Sequence, residues 1–207
     1  MSQAPQPSHH RGRPGIGAIR RPGAVLLTAL VLAAGPALPQ DEQSGHFEVT
    51  SAATELRDGV YYLTATIDLT LSSEAEMALD SGLPLTLRFE VEFLNRLRLW
   101  WDAEEASLRQ LYRIEWHPLT ERYVVLNVNS GDRTAYPSLR QALDDLGRIN
   151  ALPLIDAAVL DRDRRYDVRL RAVLDTEQLP GPLRLLAFWR RDWSLGSEWY
   201  RWRLDDN

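Results

Sequence analysis

The clearest signal in this chain is a two-residue alternation of apolar and polar positions. Tyr61, Leu63, Ala65, Ile67, Leu69 and Leu71 alternate with Tyr62, Thr64, Thr66, Asp68 and Thr70, the pattern of a strand with one face in a core. Leu85, Leu87, Phe89, Val91 and Phe93 alternate in the same way with Thr86, Arg88, Glu90 and Glu92. Tyr112, Ile114 and Trp116 predict a third strand, Arg122 to Val128 a fourth, and Asn129-Ser130-Gly131-Asp132 the turn after it. Tyr166, Val168, Leu170, Ala172 and Leu174 alternate with Arg165, Asp167, Arg169 and Arg171, and the last strands are expected near 184–189 and 198–204.

Two short helices interrupt the strands. Ser138-Leu139-Arg140-Gln141 has the Ser-x-x-Gln form of a capping box, with Leu139, Ala142, Leu143 and Leu146 on one stripe and Gly147 as the stop. Ser73-Glu74-Ala75-Glu76 repeats the cap form ahead of a weaker helix that ends by Gly82-Leu83-Pro84. About eight strands with polar outer faces and one or two short helices predict a mainly β protein, an antiparallel β-sandwich of immunoglobulin-like or similar kind. An open barrel is the alternative, because strand pairing is not written in one sequence.

Charge divides the chain. Residues 1–40 hold Arg11, Arg13, Arg20 and Arg21 and no acid, whereas 41–207 hold the other 20 arginines and all 29 acids, a net charge of −9. Between the early arginines and Gly35-Pro36 runs an uncharged apolar stretch, Ala24 to Ala34, too short for a bilayer span of roughly 20 residues but suited to a signal peptide. Residues 1–40 are therefore expected to be an export signal, with cleavage between 34 and 40, and 41–207 a single globular domain in the periplasm. Anchoring by an uncleaved leader is the alternative, and the only route to membrane contact in this reading. Arg20-Arg21 raises a twin-arginine signal, but the following Pro-Gly-Ala favours a plain secretory one. About 165 residues suffice to bury roughly 70% of the unfolded surface in one core.

The chain has no cysteine and no lysine. The first excludes disulfides, thiolate chemistry and lipid attachment at Cys; the second follows the codon bias of a GC-rich bacterial genome. The acidic body argues against an electrostatic nucleic-acid binder. After the leader only His46 and His117 remain, neither with a second ligand at metal spacing, and Gly12, Gly15 and Gly17 fall inside the leader. No nucleophile elbow or phosphate loop is present. Glu104-Glu105 and Asp144-Asp145 are adjacent carboxylates better explained by solvation than by acid–base work, as is the charged turn 161–165. No cofactor is expected.

The richest stretch is Phe188 to Trp202, with six aromatics in 15 residues. Trp189, Arg190, Arg191, Trp193, Trp199, Arg201 and Trp202 are the candidate partner-binding residues, since Trp and Arg dominate interface hot spots. The competing account is a closing hairpin that buries the rings and lays arginine stems over them.

Leu174-Asp175-Thr176-Glu177-Gln178-Leu179-Pro180-Gly181-Pro182-Leu183-Arg184, followed by Asp192-Trp193-Ser194-Leu195-Gly196-Ser197-Glu198-Trp199-Tyr200-Arg201-Trp202, resembles the C-terminal hallmark of an uncharacterised proteobacterial family, the domain-of-unknown-function family numbered 4390. The Arg122-Tyr123 strand, the Ser138–Leu146 helix and Leu152-Pro153-Leu154 fit the same pattern, so the resemblance covers most of 46–204. Arg190-Arg191 departs from it, since small polar residues are usual there. The resemblance implies an exported protein, often encoded beside a membrane sensor kinase, and brings no catalytic residues. The resulting expectation is a non-enzymatic binding or accessory protein of the envelope whose partner is the periplasmic region of such a sensor. The alternatives are an envelope hydrolase working with paired carboxylates and a structural subunit of the envelope.

Overall fold

A computed structural model describes residues 44–95, 103–161, 163–179, 181 and 193–204, with only the backbone given for 103–105. The leader expected over 1–40 and the strand expected at 184–189 lie outside the described residues. Nine strands and two α-helices follow in the order β1 (His46–Arg57), β2 (Val60–Thr70), α1 (Ser73–Asp80), β3 (Leu85–Asn95), β4 (Ala103–His117), β5 (Arg122–Asn127), β6 (Arg133–Tyr136), α2 (Leu139–Leu146), β7 (Arg148–Asp156), β8 (Tyr166–Leu174) and β9 (Tyr200–Arg203).

All pairings are antiparallel and form two sheets, β1-β2-β7 and β6-β5-β4-β3-β8-β9. The alternating positions of β2, β3 and β8 meet between them. Leu63, Leu87, Phe89, Phe93, Val168 and Leu170 are almost wholly inaccessible, and each such side chain contributes about 1.5–3 kcal/mol by burial. The chain changes sheet between β2 and β3, through α1, between β6 and β7, through α2, and again between β7 and β8.

This connectivity is that of an immunoglobulin-type sandwich. Its first, second and fifth strands would be β1, β2 and β7, and the opposite sheet runs outward from β9 through β8, β3, β4 and β5 as in variable-type domains. A second mark of that fold is present. Tyr166 opens β8, and its Oη accepts the backbone N–H of Asp161 at 3.2 Å, the arrangement of a tyrosine corner. The cross-sheet disulfide common in that fold has no counterpart, as the chain lacks cysteine.

Local chemistry explains the connections. Asp58 and Gly59 both take positive φ, 48° and 80°, which makes the two-residue turn whose twist matches that of β1 and β2. In the β5–β6 turn, Asn129 reaches back to β4, accepting from Leu111 N–H at 2.8 Å and donating to Arg109 carbonyl at 3.0 Å. That side chain takes over β4 backbone groups where β5 ends. Helix α2 is capped as its sequence predicts, Ser138 Oγ accepting from Gln141 N–H at 3.3 Å. Helix α1 corrects the expectation by one residue: Ser72, not Ser73, is the cap, because Ser72 keeps an extended backbone and its Oγ faces Ala75 N–H at 3.3 Å. Gly147 ends α2 in a right-handed conformation, so it is required for space and not for a positive φ. Its carbonyl accepts from Ile67 N–H at 2.8 Å, and an added Cβ would lie 2.2 Å from Ile67 O.

Candidate functional site

In a two-layer protein the outer face of a sheet should be solvated, yet β3 is buried on both sides. Thr86 and Glu90 point away from the core and are 4% and 6% exposed. A carboxylate buried this deeply needs charged partners. Register supplies them: Glu90 stands opposite Arg109 on β4 and Arg171 on β8, and Glu92 opposite Arg169. Arg171 Nε donates to Glu90 Oε2 at 2.6 Å and Arg169 Nε to Glu92 Oε2 at 2.7 Å. Arg88 lies 2.8 Å from Glu90 Oε1 through Nε and 3.2 Å from Asp175 Oδ2 through a terminal nitrogen. The Nε–H is nevertheless not aimed at the carboxylate, and this buried donor has no hydrogen bond of good geometry. Proximity there is electrostatic only.

Trp199, just before β9, lies on this lattice. The guanidinium carbons of Arg169 and Arg171 sit 4.2 and 4.4 Å from its ring centroid, inside cation–π range. The two arginines are fixed from below by Glu92 and Glu90, so the indole is held in a defined pose while staying partly exposed. Such an arrangement can recognise by stacking and hydrogen bonding. Its guanidinium groups stay charged at all ordinary pH and so move no protons themselves.

The seven sequence candidates thus separate. Trp193 is 8% exposed and packs in the core, so its ring is not offered to a partner. Trp202 faces inward, where its Nε1 donates to Thr54 Oγ1 at 3.2 Å, joining β9 to β1 across the two sheets. Trp199 and Arg201 are on the outer face, Arg201 bonding Asp167 Oδ2 through Nε at 2.9 Å and a terminal nitrogen at 2.6 Å. Trp189, Arg190 and Arg191 lie outside the described residues. The residues that sequence reasoning missed are Arg169, Arg171, Glu90 and Glu92. Their signal was present as the polar half of two alternating strands, but only the register pairs opposite charges across them.

A family model for a domain of unknown function, DUF4390, matches residues 44–203. The chain belongs to this family. The match takes in both sheets and the whole Glu90–Trp199 lattice, so the lattice is part of the DUF4390 domain. Comparison with curated proteins and with solved structures gave no match.

The DUF4390 domain has a second place where charged groups converge. A cavity of about 350 Å³ between α1, α2, the end of β2 and β5 is lined by Asp68, Glu76, Asp80, Asp144, Arg140 and Tyr123. Burial, then the neighbouring Asp80, raises the Glu76 carboxyl above its ordinary value, against the opposing charge of Arg140. The Tyr123 hydroxyl donates to Asp80 Oδ1 at 2.7 Å, and burial together with that bond pushes it to about 12. Of the adjacent pair noted in the sequence, Asp144 lines this cavity while Asp145 accepts from the Tyr136 hydroxyl on the other side of the helix. The Glu104 and Glu105 side chains lie outside the described residues. His46 rests beside Glu48 and His117 beside Glu115, both exposed. Among the described residues no group of three or more His, Cys, Asp or Glu is placed to hold a metal ion, and no helix is long and apolar enough to cross a membrane.

Proposed function

We propose that this protein is an exported, non-enzymatic binding or accessory protein of the bacterial envelope, acting on the periplasmic region of a membrane sensor kinase. The observation that supports the reading is Trp199: an indole outside the core, pinned by two guanidinium groups that are themselves anchored by buried carboxylates. Such a ring loses little conformational freedom on binding, the property shared by aromatic hot spots. The test is retention of the full chain on the immobilised periplasmic region of the sensor encoded beside it. Wild type is expected to be retained, and Trp199→Ala to bind at least about 30-fold more weakly, the loss typical of a hot spot. Equal retention would remove this surface from the account. No retention of either would remove the sensor.

The acidic cavity favours a second reading, an envelope hydrolase. Glu76 is biased toward its protonated form while Asp80 accepts a bond from Tyr123, an asymmetry that an acid and a base require. This reading expects release of soluble fragments from envelope glycan by the wild type and none by Glu76→Gln. Absence of wild-type turnover would dismiss it.

A further inference from the structure

The outer face of the six-stranded sheet changes character from β8 and β3 toward β6. On β8 and β9, Arg169, Arg171 and Arg201 are matched to Glu92, Glu90 and Asp167. On β4–β6 the pairing thins. Arg109 is 68% exposed in its side chain and its nearest carboxylate, Glu90 at 3.9 Å, is already engaged by Arg171. Arg113 and Arg133 form no ion pair with any described residue. They flank Leu126 in one row across three strands, Arg113 opposite Leu126 and Leu126 opposite Arg133, which places the two arginines about 10 Å apart.

The residues between them are aliphatic. Leu111, Val124 and Leu126 alternate with inward-facing Tyr112, Val125 and Tyr123, are partly exposed, and do not join the packed core. Arg109, Arg113, Arg133, Leu111, Val124 and Leu126 line none of four cavities of the described part. Tyr123, on the opposite side of β5, lines the acidic cavity. Glu115 shares the outer face, opposite Val124 and 3.5 Å from His117, so arginines outnumber acids among the described residues of this face, in a body whose net charge is −9 over residues 41–207.

We infer that the outer face of β4–β6 rests on an anionic phospholipid surface. Arg109, Arg113 and Arg133 meet the headgroup phosphates, and Leu111, Val124 and Leu126 enter the interfacial layer with the arginine stems. The spread of these arginines and aliphatic side chains over three strands suits a bilayer better than a small ligand, and the acidic remainder is repelled by the same surface, which orients the molecule with this face down. This interface uses different strands from Trp199 and does not depend on the sensor reading.

The test is flotation of the full chain with vesicles of phosphatidylglycerol and phosphatidylcholine, against vesicles of phosphatidylcholine alone. Arg109→Gln/Arg113→Gln/Arg133→Gln is compared with wild type, so that any contribution of residues 1–40 is common to both. Each arginine near an anionic surface is worth about fivefold in partitioning, so the triple variant is expected to bind about 100-fold more weakly with an unchanged far-ultraviolet circular dichroism spectrum. The corresponding triple Lys variant keeps the charge and is expected to stay within about threefold of wild type, which separates loss of charge from loss of fold. Equal partitioning of wild type and the Gln variant overturns the proposal. So does tighter binding to soluble polyglutamate than to the vesicles, which would assign the face to an acidic protein segment.

Discussion

Glu90 shows how much one side chain can hold in this domain. It is a carboxylate inside a protein, opposite Arg171 and beside Arg88, and its removal would leave the partly buried Arg171 without its counter-charge and Arg88 with Asp175 alone. Glu90→Ala is expected to cost about 3–5 kcal/mol, read as a lower midpoint in urea unfolding. A loss under about 1 kcal/mol would mean the cluster is more solvated than its 7% side-chain exposure indicates. Glu76 works in the other direction. Its folded carboxyl sits above its ordinary 4.5, so the folded protein binds that proton more tightly than the unfolded chain. The associated stability is full at low pH and is lost as pH rises through the folded value. Glu76→Gln is therefore expected to stabilise the protein near neutral pH by up to about 1 kcal/mol and to have no advantage below about pH 4, checked by melting at the two pH values.

At the scale of elements, β9 is a short edge strand, and Trp202 is what ties it to the facing sheet. The bond to Thr54 predicts coupling: Trp202→Phe and Thr54→Val should each cost about 1–2 kcal/mol, and the double variant less than their sum, as a double-mutant cycle in urea would measure. Strands β2, β3 and β8 were legible because they alternate without interruption. Strands β1 and β7 were not. β1 carries Ser51, Ala52 and Ala53 at a register shift after Val49, and β7 pairs irregularly on either side of Ala151, whose φ is 49°. Both breaks shift the face of every later residue, which erases a two-residue period. The α2 cap was readable from Ser138 to Gln141. The α1 cap was not, since Ser72 and Ser73 are equivalent until the backbone is seen. The candidate site divides in the same way. The sequence pointed to the aromatic and arginine content of 188–202, but that Trp193 and Trp202 serve the fold while Trp199 lies outside it follows from where β9 docks.

At the scale of the whole molecule, two sheets close without a disulfide, through an aliphatic and aromatic core and a tyrosine corner. The larger sheet carries arginines on its outer face, matched to acids around Glu90 and, at Arg113 and Arg133, unpaired among the described residues, while the acids of α1 and α2 gather on the other side of β5. That division gives the domain distinct surfaces for distinct contacts, which suits an accessory role better than a single deep site would. The claim at its centre is that Trp199 is held in place for recognition and is not required by the core. Titration calorimetry of the sensor's periplasmic region, paired with melting of the same samples, tests it with one substitution. Trp199→Ala should weaken binding at least about 30-fold while costing no more than about 2 kcal/mol of stability, the loss of two cation–π contacts. Unchanged affinity with a stability loss of about 4 kcal/mol or more would make Trp199 a residue of the fold and contradict the account.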